Sequence, residues 1–328
     1  MSIYTFRLYH PEDDEGQVYD LWQRALGNQW PLSEAVFHAM TVGNPAYQAG
    51  DHLVALTDED EIVGFAGTQS WSVPGEPVPY GEILVVMVDP ARQRQGVGRA
   101  LLERALGVLK RRGVTQAQLG GGAFDFFWPG VPVNLPGAWP FFEACGWKTV
   151  ERSYDLVLDL DGYATPPGIY ERIRLPGVTI ETAVPDDIPA LLCFWGQHFP
   201  GWLHSYRQVV ERGGCGDVVL ARHPEHGIVG TSCAIHPRAP WRQDSFRWAS
   251  MLGEDTGSLG ALGVAESVRE NGIGLAIAAR VTELLRERGA ARSYVSWTWL
   301  VDWYGRLGYK VWREYVMSWK TLLKEKTR

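Results

Sequence analysis

The stretch GEILVVMVDPARQRQGVGRALLERALGVLKRRGV (residues 81–114) decides the fold. It reads as an apolar strand, a short polar turn with a Gly-x-Gly, and an amphipathic helix that ends in basic residues before a glycine. The segment GSLGALGVAESVRENGIGLAIAARVTELLRERGA (257–290) repeats these features in the same order. Gln93 corresponds to Arg269, about half a chain length further on. The sequence therefore indicates an internal duplication.

The duplication extends beyond these segments. An aromatic stretch that ends in glycine follows each copy, PFFEACGWK at 140–148 and DWYGRLGYK at 302–310. A final strand comes next in each half, SYDLVLDL at 153–160 and EYVMSWKTL at 314–322. Each half therefore alternates strands and helices, which predicts an α/β fold with a mixed α+β sheet covered by helices on both faces.

A segment rich in proline and glycine separates the two halves. It reads DGYATPPGIYERIRLPG from residue 161 and lacks periodicity. We therefore predict an N-terminal domain over 1–160, a linker over 161–176 and a C-terminal domain over 177–328.

The composition narrows the class of protein. The chain has 328 residues, 45% of them hydrophobic and 21% charged, with a net charge of −7. This negative charge disfavours binding to nucleic acid or to an anionic membrane. None of the four cysteines forms a Cys-x-x-Cys pair, which disfavours a disulfide framework or a zinc site. The start of the sequence has no apolar signal core, so we expect a cytoplasmic protein. We also expect a monomer or a homodimer.

The turn after the first apolar strand has the chemistry of an anion site. It delivers Gly96 and Gly98 at the start of a helix, where backbone N–H groups lack helical partners and the helix dipole is positive. A glycine there lets phosphate oxygens approach closely. Arg92, Arg94 and Arg99 add positive charge, although each alone could belong to a solvated basic turn. A diphosphate suits this arrangement.

The pattern Q-x-x-G-x-G at Gln93–Gly98 resembles the acyl-CoA pyrophosphate loop of the GNAT superfamily, which reads Q/R-x-x-G-x-G/A. The second copy, Arg269–Gly274, is similar. The resemblance implies two tandem GNAT acyl-CoA N-acyltransferase domains, as in two-domain members of the mycothiol synthase type. It also implies acetyl-CoA as co-substrate and no metal.

The resemblance further implies which residues hold the cofactor. In this superfamily the pantetheine arm pairs with backbone of the fourth strand, and the diphosphate lies on the glycine loop. In the first half the implied residues are Val86, Met87, Val88, Gln93, Arg94, Gln95, Gly96, Val97, Gly98 and Arg99. In the second half they are Leu262, Gly263, Val264, Arg269, Glu270, Asn271, Gly272, Ile273 and Gly274.

Two catalytic residues are implied by position. Glu82 opens the fourth strand of the first half, near the spacing of a catalytic glutamate in one branch of the superfamily, and is a candidate general base. The alternative is a solvated carboxylate at a strand end. The equivalent position in the second half is Ser258, with Glu254 and Asp255 just upstream.

Tyr304 matches the tyrosine that protonates the leaving thiolate in the family. Its alternative role is an aromatic residue that packs in the core. The first half has Phe142 at this position, and phenylalanine cannot donate a proton. On this ground the second half is favoured for catalysis, while the first half is still expected to bind CoA.

The acceptor is predicted to be a primary amine of a small molecule or a peptide. Residues 120–140, rich in glycine, proline and aromatic side chains, form either a wall of the acceptor pocket or an aromatic plug. A non-catalytic acyl-CoA sensor is the alternative function, because neither half holds every expected group. A nicotinamide site is disfavoured, because a Rossmann G-x-G-x-x-G follows its strand almost directly.

Overall fold

The computed structural model describes residues 4–72, 77–122, 125–239 and 247–322, apart from the side chains of residues 204 and 205. Two compact units divide the chain. Unit 1 consists of Met1–Ser153 together with Arg313–Arg328, and unit 2 of Tyr154–Trp312.

The strands, in chain order, are β1 (Thr5–Leu8), β2 (Leu53–Leu56), β3 (Ile62–Trp71), β4 (Tyr80–Val88), β5 (Gln116–Leu119), β6 (Val131–Pro132), β7 (Glu151–Asp159), β8 (Thr179–Thr182), β9 (Val218–His223), β10 (Gly227–Ile235), β11 (Thr256–Val264), β12 (Arg292–Thr298), β13 (Lys310–Met317) and β14 (Trp319–Thr321). The helices are α1 (Pro11–Ala25), α2 (Glu34–Met40), α3 (Val97–Arg111), α4 (Ala138–Ala144), α5 (Ile188–His198), α6 (Leu203–Glu211), α7 (Ala249–Leu252), α8 (Ile273–Glu287) and α9 (Val301–Gly305).

The sheet of unit 1 has the order β1-β2-β3-β4-β5-β14. Its first four strands are antiparallel, β5 is parallel to β4, and β14 is antiparallel to β5. The helix α3 connects the parallel pair, as a parallel crossover requires. It buries Leu101, Ala105 and Leu109 against the sheet, and its basic residues follow at the C-terminal end. Gly64 of β3 lets this helix approach, because a Cβ there would meet the side chain of Leu101.

Unit 2 repeats this topology with the order β8-β9-β10-β11-β12-β7. Here β12 is parallel to β11, and β7 is antiparallel to β12. The connecting helix α8 is more apolar than α3, with buried side chains along most of its length. The two units therefore confirm the mixed sheet that the sequence predicts.

The last strand of each sheet comes from the other half of the sequence. Residues 154–159 of β7 pair with β12 in unit 2, and β14 pairs with β5 in unit 1. The boundaries predicted at 160 and 177 differ from this division, because they leave each final strand with its own half. An apolar strand carries no local signal for its partner, since the same side-chain pattern suits either sheet edge.

None of the helices in the described ranges is long and apolar enough to cross a bilayer.

Candidate active site

The glycine loop of unit 1 is an open cradle at the start of α3. Gly96, the residue before the helix, has φ 89° and ψ −11°, and Arg94 has φ 63°. These left-handed positions turn the chain so that successive amide N–H groups face one concave surface, which favours anions. Apart from Gly96 itself, its chain neighbours and the adjacent helix backbone, no atom of the described residues lies within 4 Å of the place where a Cβ on Gly96 would stand. The exposed loop can therefore accept a phosphate.

The loop of unit 2 has the same backbone shape. Gly272 has φ 80° and ψ −10°, and Glu270 has φ 66°. The residue before each left-handed turn is also alike, because Gln93 has φ −67° and Arg269 has φ −61°. The two loops thus share one backbone conformation.

The chain itself covers the second loop. The segment 169–174, here called the strap, lies so close that the carbonyl of Arg172 occupies the space of a Cβ on Gly272. The Arg174 amide donates to the Asn271 carbonyl at 3.0 Å, and its guanidinium donates to the carbonyl of Glu270.

Side chains anchor the strap along α8. The Tyr170 hydroxyl donates to Glu283 at 2.9 Å, and the Thr165 hydroxyl just upstream donates to the same carboxylate at 2.5 Å. Of the predicted loop residues Arg269, Glu270, Asn271, Gly272, Ile273 and Gly274, the strap contacts Glu270, Asn271 and Gly272, and the sequence identified this segment only as a linker. Sequence reasoning missed the strap, because its main contacts to the loop are made by backbone.

The strands that precede the two loops also differ. In unit 1, β4 pairs with β5 only over Gly81–Ile83, so the edge of Val86, Met87 and Val88 that faces β5 has no strand partner among the described residues. The register of β4 shifts opposite Gly67 and Thr68, at a β-bulge. The strands β4 and β5 therefore diverge beyond Ile83.

In unit 2 the corresponding stretch is covered by aromatic side chains. Ala261 has φ 45°, and its carbonyl accepts a hydrogen bond from the Tyr206 hydroxyl. Gly263 lies between Leu262 and Val264 in β11, and the ring of Phe199 occupies the space that a Cβ on Gly263 would need. Side chains of the unit thus occupy the surroundings of the predicted pantetheine strand.

Glu82 is a buried carboxyl in the middle of the sheet of unit 1. Its side chain belongs to a residue only 3% exposed, and Oε2 has no hydrogen-bond partner among the described residues. Burial raises the pKa of Glu82 well above its usual range, because the charged form is poorly solvated. Glu82 is therefore not the solvated carboxylate of the alternative interpretation.

Tyr304 lies in α9 of unit 2, so neither unit by itself contains both predicted catalytic residues. Its ring packs edge-on against Trp303 and Tyr309 within the core. Burial raises the pKa of Tyr304, so the hydroxyl keeps its proton at neutral pH. At the equivalent place in unit 1, Phe142 packs against Phe141 and Trp147.

The described part of the aromatic-rich loop over residues 120–140 forms a plug within unit 1. Phe127 and Trp128 are buried and stack on Trp22 of α1, with ring centroids at 4.7 and 5.4 Å. The Asp125 carbonyl accepts a hydrogen bond from the Asn44 side chain at 2.7 Å. Residues 123 and 124 of the loop lie outside the described residues. In the described ranges, no group of three or more His, Cys, Asp and Glu side chains suits a metal ion.

Comparison with known proteins identifies the family. Residues 16–147 match the model of the acetyltransferase (GNAT) family. This segment carries β4, the glycine loop and α3, so it is a GNAT acetyltransferase domain. Unit 2 repeats the topology of this domain, so the chain has two tandem domains of the GNAT fold.

Two solved structures are similar to nearly the whole chain. The GCN5-related glucosamine N-acetyltransferase region of a fungal multi-domain GH3 β-N-acetylglucosaminidase is 30% identical with a TM-score of 0.86, over 98% of this chain and 38% of that chain. The tandem GNAT protein from the clavulanic acid biosynthesis pathway is 17% identical with a TM-score of 0.63, over 98% of this chain and all of that one (100%). The second likeness concerns the fold alone.

A sequence relative completes the comparison. The mycothiol acetyltransferase of Rhodococcus erythropolis is 38% identical over 114 residues, which are 34% of this chain and 38% of that protein. The matches thus span less than two fifths of this relative and of the fungal protein.

Proposed function

We propose that the chain is an acetyl-CoA-dependent N-acetyltransferase that acts on a primary amine of a small molecule, and that unit 1 performs the reaction. One observation carries the proposal: the strand β4 bears the buried carboxyl of Glu82 and leads directly into the open loop at Gly96. The base and the diphosphate cradle thus share one strand–turn–helix element.

The residues of unit 1 fit the binding of CoA. The diphosphate would lie on the amides of Gln95–Gly98, which the first turn of a helix leaves without helical partners. Arg94 and Arg99 would add positive charge at the loop. The free edge of Val86–Val88 would pair with the pantetheine amides, as an added strand does.

The transfer then needs a base more than an acid. The amine nitrogen bonds to the thioester carbon while the carbon–sulfur bond breaks, and Glu82 accepts the proton that the nitrogen releases. A buried carboxyl with a raised pKa is a stronger base when ionised than a solvated one. Because Phe142 offers no proton, the thiolate would leave unit 1 without a tyrosine donor.

An amino sugar is the proposed acceptor. The support is the 30% identity, over 98% of this chain, to a region described as a glucosamine N-acetyltransferase. Unit 2 then has a structural role, and the strap covers its glycine loop. We also propose that the protein works in the cytoplasm, as a monomer or homodimer, without nucleic acid or membrane.

The test is release of thiol from acetyl-CoA in the presence of glucosamine. N-acetylglucosamine and glucose are matched controls, because the first has a blocked nitrogen and the second has none. Of the three sugars, we expect only glucosamine to cause thiol release from acetyl-CoA, together with formation of N-acetylglucosamine. Binding of acetyl-CoA without turnover of glucosamine or of a panel of peptide amines would favour the non-catalytic acyl-CoA sensor.

A further inference from the structure

Four side chains form one row across unit 1. The register pairs Glu82 of β4 with Gln69 of β3 on one side and with Gln118 of β5 on the other. Gln118 in turn pairs with Trp319 of β14, the strand supplied by the end of the chain. Residues paired in this way point to the same face of a sheet, on strands about 4.8 Å apart. Glu82 therefore lies between two amides, one of which has an indole beside it.

Both ends of the Gln118 amide are engaged away from Glu82. The Trp319 indole Nε1 donates to Gln118 Oε1 at 3.1 Å, and Gln118 Nε2 donates to the Pro129 carbonyl at 3.2 Å. Glu82 Oε2, by contrast, meets no donor among the described residues. An amide that could solvate the carboxylate is thus adjacent in the sheet but turned elsewhere.

No charged side chain of the described residues accounts for the state of Glu82. Burial alone raises its pKa, and its partners on β3 and β5 are the neutral Gln69 and Gln118. Another buried carboxylate of unit 1 differs in this respect, because Asp14 of α1 forms an ion pair with Arg7 at 2.6 Å. A hydrogen bond from the neighbouring Gln118 amide would therefore change how basic Glu82 is.

Resting on the function proposed above, we propose that Trp319 is a positioning residue that holds Gln118 turned away from Glu82 and so keeps Glu82 a strong base. Without the indole N–H, only the Pro129 carbonyl holds the Gln118 amide, so Nε2 can leave that carbonyl and donate to the ionised carboxylate instead. A donor to the charged form stabilises that form and lowers the pKa of the carboxyl. The strand from the end of the chain thus tunes the base of unit 1.

The decisive variant is Trp319→Phe, which removes the N–H and keeps an aromatic ring. We expect the acid limb of the kcat–pH profile to move to lower pH, and the plateau value of kcat to fall about three- to tenfold because a weaker base accepts the proton less readily. Gln118→Leu removes the amide, so it should leave the acid limb in place. The double variant should restore the acid limb of the parent protein.

The matched control is Trp147→Phe, because the buried Trp147 indole of unit 1 has no acceptor among the described residues. It should leave the acid limb unchanged. An unmoved acid limb in Trp319→Phe, or a shift that persists in the double variant, would overturn the proposal. Full activity of Glu82→Gln would instead refute the proposed base itself, and calorimetry with acetyl-CoA shows whether each variant still folds and binds.

Discussion

The carbonyl of Arg172 occupies the space that a side chain on Gly272 would need. This relationship separates two loops that share one backbone conformation, because no other described segment of the chain lies within 4 Å of the same point on Gly96. The covered loop keeps the backbone shape of the open one, and the strap lies against it at Glu270, Asn271 and Gly272.

The first prediction follows from this difference. We expect calorimetry to show one molecule of acetyl-CoA bound per chain, because the strap contacts Asn271 and Glu270 through two hydrogen bonds that a ligand would have to displace. Two equivalent sites would contradict the assignment of the cofactor to unit 1.

The second prediction concerns Gly96. In Gly96→Ala the methyl group would project from a left-handed position into the path of the diphosphate, so Kd for acetyl-CoA should rise about tenfold or more, equivalent to about 1.4 kcal/mol. Gly113→Ala is the matched control, since Gly113 follows the other end of the same helix with φ 83°. Both variants carry similar backbone strain, and an equal loss of affinity in both would argue against the cradle.

The third prediction concerns the base. Glu82→Gln preserves the shape of the side chain but cannot accept the proton, so kcat should fall about 10²- to 10⁴-fold while the affinity for acetyl-CoA is kept. Glu254→Gln, an exposed glutamate of unit 2, is the control that should retain activity. A parallel loss of acetyl-CoA binding would indicate a structural role for Glu82.

The fourth prediction concerns stability. His52 is buried among Tyr9, Tyr47 and Phe65, and burial lowers its pKa from 6.5 to about 4. Between these pH values the unfolded chain binds a proton that the folded chain does not, so stability falls as the pH decreases from 6.5 towards 4. The loss is about 3 kcal/mol at most.

Urea unfolding at pH 7 and pH 5 measures this effect. His52→Phe should reduce the difference in the free energy of unfolding between the two pH values, because phenylalanine does not titrate. An undiminished difference in His52→Phe would assign the acid sensitivity to other groups.

Much of the fold was predictable because glycines mark it. The motifs at Gly96 and Gly272 require left-handed backbone, and the apolar strand and amphipathic helix on either side fix the element types. The partner of a final strand was not predictable, since β7 and β14 each suit the edge beside either parallel pair. Pairing of distant strands depends on the whole assembled sheet rather than on local sequence.

The candidate site was predictable to the same extent. Glu82 could be singled out by its distance from the glycine loop, whereas its neighbours depend on register. Gln118 gave one weak signal, a polar residue between the buried Ala117 and Leu119. Trp319 gave none, because only the pairing of β14 with β5 brings it to Gln118.

The exchange of final strands fixes an order of assembly during synthesis. The β5 edge of unit 1 has to wait for residues 319–321, which leave the ribosome only after all of unit 2 has been made. Unit 2 ends at Trp312, before this strand. The domain translated first is therefore the last to be completed, and premature termination near the C-terminus would spare the second fold while leaving the first with an unpaired, aggregation-prone strand.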